Sequence, residues 1–188
     1  MGRWEPNPRG RLEQAALELY GERGFDETTV KEIAQRAGLT ERTFFRHFAD
    51  KREVLFPHTN PLQQTLVEAL AAAPENASPL EAVVAALLAG SELIQERRGA
   101  ACRRQAVIAG HAELQERELI KLAALAAALA DGLRRRGVPA PTANLAAEAG
   151  TAVFKLAFQR WIGESGPPEL TRLLQEALDD LRSLTAGD

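Results

Sequence analysis

Residues 29–51 read TVKEIAQRAGLTERTFFRHFADK, and no other stretch restricts the fold as much. Thr29 is an N-cap with Glu32 three residues on, the capping-box spacing that opens a helix. Ile33 supplies an apolar contact, and the small side chain of Ala34 lets a second helix cross close by. Gly38 can take the left-handed conformation that ends a helix, Leu39 plugs the corner, and Thr40 caps the next helix. Phe44 and Phe48, four apart, face inward from that second helix. The segment predicts two short helices around a tight turn, a helix-turn-helix. Glu41, Arg42, Thr43, Arg46 and His47 are left on the outward face, with Phe45 partly exposed.

The rest of the chain is helical by the same criteria. Leu12, Ala16, Leu19 and Tyr20 follow one helical face, which stops at Gly21 and Gly24. Asp50 with Glu53, and Ser78–Pro79 with Glu81, repeat the capping signature. Leu80, Val84, Leu87, Ser91 and Ile94 continue one face of the helix after Ser78. Leu122, Leu125, Ala126, Leu129 and Leu133 make another, ended by Arg134–Arg136 and Gly137, with the arginines complementing the negative helix end. Residues 142–162 and 168–184 form the last two helices. Strand-type alternation is absent, so the chain is expected to be all-α with about nine helices. Seven of the ten aromatics lie before residue 61, whereas alanine is concentrated after it. Bulky residues fill a small module, and alanine suits long helices packed closely. The breakers Pro57, His58, Thr59, Asn60 and Pro61 divide a domain at 1–56 from one at 57–188.

Composition excludes several classes. The net charge is −3, and one cysteine, Cys102, cannot form an internal disulfide, so a reducing cytoplasm is the expected setting. Cys102 is expected to be a buried small residue rather than a redox sensor. No apolar run approaches the roughly 20 residues that span a bilayer, and the N-terminus has no signal-peptide core. Neither a glycine-rich phosphate loop nor a nucleophile elbow is legible, so no enzymatic activity and no cofactor are expected. Three scattered histidines and one cysteine give no metal-ligand spacing, and His58 and His111 read as ordinary loop or helix-end residues. The mild acidity conceals a local excess of base. Residues 31–52 hold six basic side chains against three acidic ones, a net +3 on the helix-turn-helix. Cations and hydrogen-bond donors there suit phosphates and base edges.

The stretch from Arg11 to Leu55 resembles the N-terminal domain of the TetR (tetracycline-repressor-like) family of bacterial transcriptional regulators. The likeness rests on Ala15–Ala16, Leu19, Gly24–Phe25, Thr29–Val30, Glu32–Ile33–Ala34, Ala37–Gly38–Leu39, Thr43, Phe44–Phe45, His47–Phe48 and Lys51. The resemblance implies a three-helix DNA-binding domain and a C-terminal ligand-binding and dimerisation domain. It further implies a homodimer that binds palindromic double-stranded operator DNA and releases it when a small molecule enters the C-terminal domain. Carried over by position, Thr29, Thr40, Thr43, Phe45, His47 and Lys51 fall where the family contacts phosphates. Arg42 and Phe44 fall where base contacts or helix packing are set, and Phe44 reads as core before reader. Arg46 adds a cation to the same face, and Arg3, Arg9 and Arg11 are open as a terminal arm or as phosphate contacts. Phe45 stands where many members have Tyr, which removes a hydroxyl-to-phosphate bond. Pro57 and Pro61 interrupt a linker helix that is often continuous in the family.

A two-fold dimer would double the contacts of one helix-turn-helix. Two stripes on the helix over 142–162 are interface candidates: Ala146, Gly150, Val153 and Ala157, and beside them Leu145, Ala149, Ala152 and Leu156. Leu174, Leu178 and Leu181 of the last helix would complete a four-helix bundle, unless the stripes are intrachain core. Phe154, Phe158 and Trp161 are spaced to form an aromatic wall for an apolar effector or simply to pack a core, with Gln105 and His111 as polar anchors. Two alternatives stand beside this reading: a DNA-binding regulator without a small-molecule ligand, and a helical enzyme with a degenerate helix-turn-helix.

Overall fold

The computed structural model describes residues 7–56, 61–166 and 168–185. Among them are nine α-helices and no strand: α1 (Pro8–Arg23), α2 (Val30–Arg36), α3 (Glu41–His47), α4 (Pro61–Ala72), α5 (Pro79–Gln95), α6 (Arg98–Ala109), α7 (Ala112–Arg135), α8 (Ala140–Gly163) and α9 (Leu170–Thr185). The all-α expectation holds. Two compact units emerge, one of residues 1–59 with 99–119 and the other of 60–98 with 120–188. Packing therefore does not follow chain order. The sequence division at 56 and 57 left 99–119 with the C-terminal helices, whereas these residues close the core of the first unit.

In the first unit, Leu12, Ala16 and Leu19 of α1 pack with Ile33, Phe44 and Phe48. Val107 and Ile108 of α6 and Leu114 of α7 complete that cluster, with Phe25 and Leu55. Polar contacts tie down the same return. Arg104 donates to the Leu55 carbonyl at 2.8 Å and pairs with Glu118, and Arg52 reaches Glu113 at 2.7 Å. Helix α1 runs past Gly21 and ends at Gly24, whose φ of +90° requires glycine. The Asp50–Glu53 signature opens no helix. Asp50 instead accepts from the backbone N–H groups of Arg52 and Glu53 at 2.8 and 3.0 Å, closing a turn that carries Val54 and Leu55 into the core.

The second unit joins α4, α5, α8 and α9 with the latter part of α7. Ser78 and Glu81 form the expected capping box on α5. The buried face of α5 is Ala82, Val83, Ala86, Leu87, Gly90 and Ser91, rotated from the face that its larger residues suggested. Small side chains decide it, because they allow close approach. A Cβ on Gly150 of α8 would lie 2.3 Å from Val83, and one on Gly90 would lie 2.7 Å from Leu66 of α4. Arg136 does not serve only its own helix. Its guanidinium donates to the carbonyls of Leu70, Ala73 and Pro74, finishing the C-terminus of α4. Arg98 does the same for α8, through the carbonyls of Trp161 and Glu164. No helix among the described residues is long and apolar enough to cross a membrane.

Candidate nucleic-acid interface

Local chemistry sets the helix-turn-helix. The Thr29 hydroxyl accepts from the Glu32 N–H at 3.2 Å, while the Glu32 carboxylate accepts from the Thr29 N–H at 2.9 Å. That N–H and the Thr29 hydroxyl, with Arg23 nearby, hold Glu32 below the usual carboxylate range. Gly38, at φ +64°, turns the chain after α2: its N–H bonds the Gln35 carbonyl, and that of Leu39 bonds the Ala34 carbonyl at 2.8 Å. Thr40 then caps α3 by accepting from the Thr43 N–H, and the two threonine hydroxyls lie 3.1 Å apart. Adjacent phenylalanines divide the labour of α3. Phe44 is fully buried beside Phe48, which removes it as a reader, while Phe45 is 56% exposed.

Most cations of this unit are already engaged. Arg36 forks onto Glu22 at 2.9 and 2.8 Å, Arg23 meets Glu32 at 2.7 Å, and Arg9 pairs with Glu13 and lies over the Phe48 ring. Arg11 donates to the Ala37 carbonyl, and Arg52 is held by Asp50 and Glu113. Lys51, expected at a phosphate, donates to the carbonyls of Phe25, Asp26 and Thr28 at 2.8, 3.0 and 3.1 Å and sits over the Phe25 ring. An ammonium has three donors, and all three are spent on the loop between α1 and α2. Among the described residues 7–56, the cations with no hydrogen-bond or ion-pair partner are Lys31, Arg42 and Arg46, all exposed. Lys31 enters the sequence reading only as part of the basic excess over residues 31–52 and not as a contact, the expected contacts being Thr29, Thr40 and residues of α3 with Lys51. No sequence signal distinguishes it, because the partners that engage the other cations are brought to them only by folding.

His47 departs from its expected role as an outward contact. It is half-buried, and its Nε2 has no hydrogen-bond partner. Burial, then the neighbouring Arg46 and Arg9 charges, push its pKa below the ordinary 6.5. Both influences favour the neutral imidazole. Arg3, the proposed arm, lies outside the described residues, as do Pro57 and His58 of the linker.

The C-terminal candidates are sorted by the two units. Gln105 and His111 belong to the first, where His111 bonds the Val107 carbonyl through Nδ1 and packs edge-on to Phe25 at 5.5 Å. Phe154, Phe158 and Trp161 belong to the second and form a ladder, with centroids 5.9 and 5.6 Å apart. Trp161 is a core post: it is fully buried, and its indole N–H donates to the Pro168 carbonyl at 3.1 Å. The interface candidates divide as well. Ala146, Gly150, Val153 and Ala157 are buried inside the unit, as are Leu174 and Leu178, so this stripe is intrachain core. Leu145 and Leu156 are 72% and 57% exposed, Ala152 is exposed beside them, and Ala149 and Leu181 are half-buried.

Comparison with known proteins extends the match beyond the helix-turn-helix. Residues 13–56 fit the family model of bacterial regulatory proteins of the tetR family, and residues 77–186 fit that of the MftR C-terminal domain. The chain belongs to the TetR family of transcriptional regulators. The regulator TcmR of Streptomyces glaucescens is 38% identical over 81 residues, 43% of this chain and 36% of that protein. The transcriptional activator FasR of Mycolicibacterium smegmatis is 35% identical over 82 residues, 42% of this chain and 37% of that protein. The alignments thus span little more than a third of these relatives. Two solved structures share the fold: SmeT of Stenotrophomonas maltophilia in complex with triclosan (TM-score 0.65, 20% identity, 94% of this chain and 90% of that one) and Thermus thermophilus FadR with lauroyl-CoA (TM-score 0.55, 24% identity, 93% of each).

Proposed function

We propose that this TetR-family chain is a repressor that binds a palindromic operator as a homodimer and releases it when a small molecule binds the second unit. The observation that carries the reading is the set of unpaired cations. Lys31, Arg42 and Arg46 stand exposed on the helix pair while the neighbouring cations are engaged by acids or carbonyls of the same unit. Phosphates are the natural counter-charge. Thr29, Thr40 and Thr43 sit at the two helix N-termini, where hydroxyls and free N–H groups suit phosphate oxygens, and Phe45 adds van der Waals contact. Arg42, in the first turn of α3, is the base-reading candidate. Lys51 supports the loop between α1 and α2 rather than touching DNA.

Leu145, Ala149, Ala152 and Leu156 on α8, with Leu181 on α9, supply the dimer contact. Phe154 and Phe158 form the wall for an apolar effector. That activity places the protein in the cytoplasm, with the chromosome. Selection of bound fragments from the source genome tests the reading. An inverted repeat bound with steep salt dependence is expected, and salt-insensitive or undetectable binding would overturn it.

A further inference from the structure

Three polar residues are buried in the described chain: Thr28, Ser91 and Thr151. Two are satisfied in the usual way. Thr28 donates to the Gly24 carbonyl at 2.8 Å, and Ser91 donates to the Leu88 carbonyl at 2.6 Å while meeting the Thr171 hydroxyl at 2.9 Å. Thr151 is different. It lies in mid-α8, is 7% exposed, and its Oγ1 has no hydrogen-bond partner. A threonine within a helix normally rests its hydroxyl on the carbonyl three or four residues back. A valine would fill the same shape without leaving a buried hydroxyl unpaired.

The position of that hydroxyl is informative. Thr151, Phe154 and Phe158 follow i, i+3, i+7 spacing and share one stripe of α8. The two rings lie 28° from parallel, and the stripe runs from buried Thr151 and Phe154 to half-buried Phe158. We propose that Thr151 is the polar anchor of a ligand site on this stripe, which takes a small, planar, mostly apolar molecule bearing one hydroxyl or carbonyl oxygen. The ring lies along Phe154 and Phe158, and the oxygen pairs with Thr151 Oγ1. The proposal rests on the effector reading above and replaces Gln105 and His111 as anchors.

Thr151→Val and Thr151→Ser, tested with 1-naphthol and naphthalene, separate anchor from packing. Calorimetry on the full chain should show 1-naphthol binding about tenfold weaker to Thr151→Val, the loss of one neutral hydrogen bond, and restored in Thr151→Ser. Naphthalene should bind the wild type and Thr151→Val alike, and Thr151→Val should melt no lower than the wild type without ligand. Equal 1-naphthol affinity in both, no 1-naphthol binding to the wild type, or a lower melting point for unliganded Thr151→Val would each overturn the anchor. Operator binding in the presence of 1-naphthol is read separately. Thr151-dependent binding that leaves the operator complex intact supports the anchor and refutes the effector reading.

Discussion

Arg46 and Lys51 are both cations of the helix-turn-helix, yet Arg46 is exposed while Lys51 is held by three carbonyls, so the proposed interface gives them opposite duties. Arg46→Ala should lower the slope of log K against log salt by about 1, as expected when one phosphate contact is lost. Lys51→Met should leave that slope unchanged and lower the melting temperature, because three carbonyls of the loop between α1 and α2 lose their donor. A reduced slope for Lys51→Met would return it to the interface. His47 gives a second test. Its pKa is lower when folded than the ordinary 6.5, so the unfolded chain binds more protons once pH falls through that value. Stability should drop below pH 6.5, and denaturant titrations of His47→Gln at pH 7.5 and 5.5 should show a smaller drop than the wild type. At this scale the sequence revealed which residues carry charge but not which charges are spent. The partners that decide it are far along the chain: Lys51 is engaged by carbonyls of residues 25, 26 and 28, and Arg36 by Glu22. Lys31 and Arg36 look alike in one dimension, and only folding separates them.

Helix starts were legible because a cap is local chemistry, complete within four residues, as at Thr29 and Ser78. Asp50 and Glu53 carry the same signature without a helix, since the Asp50 carboxylate is taken up by a turn and by the Arg52 guanidinium. Helix faces were read less well. Apolarity pointed to the large residues of α5, whereas close crossings are set by the smallest. Gly150→Ala makes this measurable. Alanine favours a helix over glycine by about 1 kcal/mol, but its Cβ would meet the stiff Val83 side chain at 2.3 Å, an overpacking that costs about 1–3 kcal/mol. Net destabilisation in urea is expected, and adding Val83→Ala should recover part of it. Full additivity of the two substitutions would disprove the close contact. Arg136 completes α4 from another helix, so Arg136→Met should destabilise the unit by about 1–3 kcal/mol, whereas a role confined to its own helix end predicts a smaller loss.

For the whole chain, periodicity and punctuation sufficed for an all-α reading, but spatial grouping was not legible, because nothing local marks residues 99–119 as belonging with the N-terminal helices. The exposed leucines of α8 carry the dimer reading. Leu145→Glu with Leu156→Glu should leave the fold intact, since both side chains face solvent in the single chain, and should shift sedimentation from dimer to monomer. An unchanged dimer would move the interface elsewhere. The return of α6 and α7 into the first unit also bears on how the chain is made. Tyr20, Phe25 and Phe48 are translated early, but Val107, Ile108 and Leu114, which close the cluster around them, arrive only when synthesis has moved well past residue 100. At roughly 5–20 residues per second, the nascent helix-turn-helix waits several seconds with its core unsealed. Order of synthesis and order of folding therefore diverge inside the first unit: the helix-turn-helix can finish folding only after α6 and the start of α7 have been made.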